Sequence, residues 1–69
     1  MVEMHCRAKW RNAKGEAIAY RFHVVGRNDN KALMNAMIEI EHFVVAMKDV
    51  LEDFDYVGMK IEGIIDQYE

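Results

Sequence analysis

The chain contains no proline, no serine and no threonine. Without the two hydroxyl residues it has no serine or threonine nucleophile, no P-loop and no acceptor for N-glycosylation. One cysteine, Cys6, stands alone. No disulfide can close within the chain, which suits a reducing compartment. Apolar runs last only a few residues, far short of a membrane span. Met1 to Arg11 alternates charged with apolar residues, unlike a signal peptide. The expected setting is the cytoplasm, away from membranes.

What is present is a chain of 69 residues, the size of one small domain. At 52% hydrophobic it is too apolar for disorder. A chain this short buries only about 60% of its unfolded surface, so its core is marginal unless stapled or oligomeric. The net charge of -3 hides a split. Residues 1–31 hold seven Lys/Arg against three acids, a net +4; residues 32–69 hold two Lys against nine acids, a net -7. Such asymmetry speaks to partners rather than to fold.

From Val2 to Arg11 the apolar pattern has period two, the mark of a half-buried strand. Val2, Met4, Cys6, Ala8 and Trp10 share one face; Glu3, His5, Arg7, Lys9 and Arg11 share the other. Glu16 to Val25 repeats the pattern, with Ile18, Tyr20, Phe22 and Val24 inside. The link Ala13-Lys14-Gly15 fits a three-residue hairpin loop with glycine in the left-handed position. Asn12 then faces Glu16. That register sets Trp10 against Ile18, Cys6 against Phe22, Arg7 against Arg21 and His5 against His23, in agreement with the hydrophobic pattern.

Gly26 to Asn30 breaks the second strand and supplies helix caps. A helix is predicted over Asn30 to Phe54, with Leu33, Met37, Ile40, Val44, Met47, Leu51 and Phe54 as the buried stripe. Ala36, Phe43 and Val50 widen it. Tyr56 to Glu62 alternates again, as a third strand with Val57, Met59 and Ile61 inward. Val57, Ile61, Ile64 and Tyr68 also fit a helical spacing, so a helical tail after Gly63 is an alternative. A right-handed crossover places the third strand beside the first. The predicted fold is a single α+β domain over residues 1–69: ββαβ, an antiparallel sheet in the order 2-1-3 with one helix on one face.

Cys6 and His5 are adjacent on a strand and point to opposite faces, so His5 cannot activate Cys6. His5 and His23 face each other with Glu3 as the nearest third group, but no zinc spacing such as HExxH occurs. No metal and no cofactor are expected. Two constellations work against stability. His5, Arg7, Lys9, Arg11, Arg21 and His23 crowd the outer sheet face, with like charges opposite each other. Asp49, Glu52, Asp53 and Asp55 gather where a helix C-terminus would favour cations. Each is either a solvated surface or a binding surface. A third feature is apolar: Met34, Ile38 and Val45 share a helix face away from the core, as a self-association surface would.

A strand-strand-helix-strand chain with split charge and almost no cysteine resembles a recurrent type of small phage-encoded protein, from Val2 to about Ile65. Proteins of that type inhibit host RNA polymerase, block CRISPR or other defence complexes, or neutralise toxins. The resemblance implies stoichiometric binding to a host protein rather than catalysis. The functional expectation is a non-enzymatic interaction module, homodimeric, binding a host complex through charged surfaces. The alternative is a nucleic-acid-binding protein using the basic sheet face; there the aromatics point inward, unlike an RNA-stacking sheet.

Overall fold

The computed structural model describes residues 1–66. Strand β1 spans Val2–Asn12, β2 Ala17–Gly26, helix α1 Asp29–Ala46 and β3 Phe54–Asp66. The sheet is antiparallel in the order β2-β1-β3. The α+β architecture and the crossover are those that the sequence pattern predicts.

The hairpin closes as its residues dictate. Asn12 N–H donates to Glu16 O at 3.0 Å, and Gly15 N–H to Asn12 O at 3.1 Å. Gly15 has φ 84°, a left-handed conformation that a side chain would strain. The Asn12 side-chain oxygen accepts from the N–H of Lys14 and of Glu16. The resulting register pairs Trp10 with Ile18, Arg7 with Arg21 and His5 with His23.

At the other end of β2 the chain turns into α1 through Asn28. Its side chain caps the helix by accepting from Lys31 N–H at 2.9 Å. Gly26 sits directly beneath the first helical turn. A Cβ there would lie 2.3 Å from the backbone nitrogen of Ala32, so only glycine permits this approach.

Close approach also selects the buried face of the helix. Ala32 and Ala36 are fully buried against Val2, Met4 and Cys6. Leu33, Met37 and Val44, predicted as core, are instead exposed, Met37 by 59%. Two bonds hold the helix at this rotation. Tyr20 Oη–H donates to Glu39 Oε1 at 2.6 Å, and Asn35 Nδ2 donates to the carbonyl of Val25 at 2.7 Å. Both anchors lie on β2, so the opposite flank of α1, with Leu33, Met37 and Val44, faces the β3 side.

The helix ends at Ala46, not at Phe54. The chain must return to start β3 opposite Asn12, and residues 47–53 make that turn. Leu51 anchors it, buried beside Ala8 and Trp10. Phe43 completes this second part of the core, stacked on Tyr20 with ring centroids 4.0 Å apart and packed on Trp10 at 5.1 Å.

Strand β3 continues to Asp66, opposite Val2, so Ile64 and Ile65 are strand residues and not a helical tail. Tyr68 lies outside the described residues. Two residues of β3 have no partner in the β1 register: Val57, between Tyr56 and Gly58, and Glu62, between Ile61 and Gly63. These bulges shift the alternation. Tyr56, not Val57, turns inward and meets Trp10 with ring centroids 5.5 Å apart. Helix α1 runs over β1 and β2, and among the described residues its backbone approaches no part of β3.

Candidate interaction surface on the open sheet face

One sheet face is covered by α1. The other is open, and its side chains come from alternate positions of all three strands. On β1 these are Glu3, His5, Arg7, Lys9 and Arg11; on β2, Arg21 and His23. The alternation that buries Cys6 and Trp10 therefore presents the whole predicted basic set, His5, Arg7, Lys9, Arg11, Arg21 and His23, on one surface.

The charge on this surface is mixed. Glu62 stands at the β3 bulge, with one carboxylate oxygen 3.6 Å from Arg21 Nε and the other 4.0 Å from Arg7 Nε. It relieves the like-charge opposition of the two arginines, which lie on neighbouring strands. His5 Nε2 lies 3.0 Å from Glu3 Oε2. The His5 and His23 rings stack with centroids 5.7 Å apart. Arg11 is opposite Asp55 in the β1–β3 register. Among the described residues no three His, Cys, Asp or Glu side chains form a metal-ligating group.

Glu62 is the member of the surface that alternation alone does not assign a role. The predicted strand order put β3 beside β1 and Glu62 on the outer face; the extra residue brings it between two arginines. Beyond it, Arg7, Lys9 and Lys60 border a shallow depression of about 220 Å³ beside Gly58.

The predicted acidic cluster does not sit at a helix end. Asp49, Glu52 and Asp53 project from the turn over residues 47–53, past the end of α1 at Ala46, and Asp55 is on β3. The macrodipole acts within the last turn of a helix, so opposition to it is not what sets these residues apart. All four remain exposed. Met34, Ile38 and Val45 are exposed along the helix crest, pointing away from the sheet, Val45 by 76%.

Burial pushes the Cys6 thiol pKa up, which favours the neutral, unreactive form. The Tyr20 hydroxyl is raised by its hydrogen bond to Glu39, then by burial and the carboxylate's charge. Among the described residues no helix is long and apolar enough to cross a membrane. Comparison with known protein families, curated proteins and solved structures finds no match.

Proposed function

We propose that this chain is a non-enzymatic interaction module that binds another protein through the open sheet face. The carrying observation is Glu62 between Arg7 and Arg21. A surface built for a polyanion gains from uncompensated cations, whereas interleaved charges of both signs suit the patterned surface of a protein. The acidic turn with Asp49, Glu52, Asp53 and nearby Asp55 offers a second charged surface to the same partner. In its specific form the proposal is a small inhibitor occupying a charged site on a bacterial host complex, such as a defence or transcription assembly. Size, element order and split charge support that form.

Nucleic-acid binding is the second reading, favoured by the Arg7, Lys9 and Lys60 depression. Capture from bacterial lysate with tagged protein, beside titration with DNA and RNA, separates the two. The expected result is a retained protein partner that is lost in Arg7→Glu/Arg21→Glu and in Glu52→Lys/Asp53→Lys, with circular dichroism unchanged. Tight nucleic-acid binding at physiological salt, with a salt slope that falls by about one for each arginine removed, establishes the second reading instead.

A further inference from the structure

Helix α1 carries apolar residues on its base, one flank and its crest, with exposed Glu41 between that flank and the crest and Lys31 and His42 on the crest's other border. Its base, with Ala32, Ala36 and Phe43, meets the sheet. Its β3-side flank carries Leu33, Met37 and Val44, and its crest carries Met34, Ile38 and Val45, all six exposed. The β2-side flank, with Asn35 and Glu39, is polar and bonded to β2. Beside the helix, β3 presents Tyr56, Ile61 and Ile64 with no element of the described residues over them, and all three are exposed. Apolar residues on the outer side of a helix as well as its inner side call for a second layer over it, and the described residues supply only one.

From these observations we infer that a second copy of this chain supplies the other layer, with the two helix-bearing faces packed together across a two-fold axis. The surface is stepped: a ridge, α1, over β1 and β2, and a trough over β3. A two-fold seats each ridge in the other's trough, as an isologous interface requires. The crest residues Met34, Ile38 and Val45 then lie on the partner's β3, and the flanks Leu33, Met37 and Val44 lie against the partner's helix.

The dimensions fit. Strands about 4.8 Å apart put β3 roughly 7 Å from the midline of β1 and β2, close to the ~8–10 Å that separates packed helices. The chain exposes 5234 Å², against about 4,500 Å² for a compact protein of its mass. Its radius of gyration is 13.3 Å, against about 11 Å for a compact chain of this length. The excess of about 700 Å² is close to the ~800 Å² that each partner contributes to a standard interface. Pairing of the β3 edges is the less favourable arrangement, because the bulges at Val57 and Glu62 interrupt that edge.

Light scattering at high micromolar concentration tests this. The expected mass of the wild type is twice 8.1 kDa. Ile38→Lys on the crest and Ile61→Glu on β3, which lie at the same level along the strands, should each weaken association by about tenfold or more, as loss of a buried interface contact does. Mixing the two variants should restore the dimer, because one variant's lysine then faces the other's glutamate. Arg21→Glu, on the open face, should leave the mass unchanged. Ile38 is exposed in the single chain, so its substitution leaves the fold intact by circular dichroism. A wild-type mass of 8.1 kDa overturns the inference. So does a dimer that survives both variants, that fails to recover on mixing, or that dissociates in Arg21→Glu. Loss of a captured partner with the dimer intact concerns the open face alone.

Discussion

The two halves of the helix-side face carry similar residues in different circumstances. Over β1 and β2, the apolar side chains lie beneath α1: Met4, Cys6, Ala8 and Trp10 are nearly inaccessible. Over β3, Tyr56, Ile61 and Ile64 are equally apolar and remain half in water. Residue type does not separate them. The position of one helix does, and that position follows from two alanines and a glycine. Small residues let the helix approach the first half closely, and the anchors at Tyr20 and Val25 hold it there.

The largest expected effects come from breaking the covered half. Trp10→Ala should cost about 3–5 kcal/mol in urea unfolding, since the indole packs on Phe43, Tyr56 and the Leu51 cluster. A loss under about 1 kcal/mol would mean that the two halves are not energetically distinct. Gly26→Ala should cost about 1–3 kcal/mol, because the new methyl group displaces the first turn of α1 from β2. An unchanged midpoint in that variant would show that helix placement does not depend on this contact.

A smaller effect tests the polar flank. Tyr20→Phe should cost about 1–2 kcal/mol at neutral pH by removing the bond to Glu39. The tyrosine pKa is raised above its ordinary value of 10.0 on folding. The protonated form is therefore the one the fold favours. Its contribution is complete below pH 10.0 and declines as pH rises through the raised folded-state value. The wild type should lose stability over that alkaline window more steeply than Tyr20→Phe, measured as unfolding midpoint against pH. Parallel profiles would remove this hydrogen bond from the account.

The smallest effect sharpens the comparison through concentration. Met4→Ala should lower the unfolding midpoint by a similar amount at low and high protein concentration. Ile61→Ala should have little effect in dilute solution and a growing one as concentration rises, because a subunit contact stabilises by mass action. Equal concentration dependence in the two variants would show that the β3 half is ordinary solvent-facing surface.

The strands are legible in the sequence for a simple reason. Period-two alternation in β1 and β2 and a glycine at the left-handed loop position determine pairing from local rules alone. The same alternation is enough to place all six residues of the basic face on one surface. The helix is legible in type and only partly in placement. Leu33, Met37 and Val44 have the spacing of a core stripe, and spacing cannot tell a core stripe from an interface stripe one flank away. The end of α1 is not legible either, because no glycine or proline marks Ala46; the need to begin β3 opposite Asn12 decides it.

By itself, then, the sequence determined the hairpin, its register, the order of the sheet and the sidedness of each strand in the hairpin, because those depend on near neighbours and a two-residue period. Tertiary structure alone decided which face of α1 meets the sheet, since steric approach at Gly26, Ala32 and Ala36 outweighed the larger hydrophobic area of the leucine and methionine flank. It also decided how the charges of the open face meet. The bulge at Glu62 is a non-local accommodation between β3 and β1, and at it one carboxylate meets both Arg7 and Arg21.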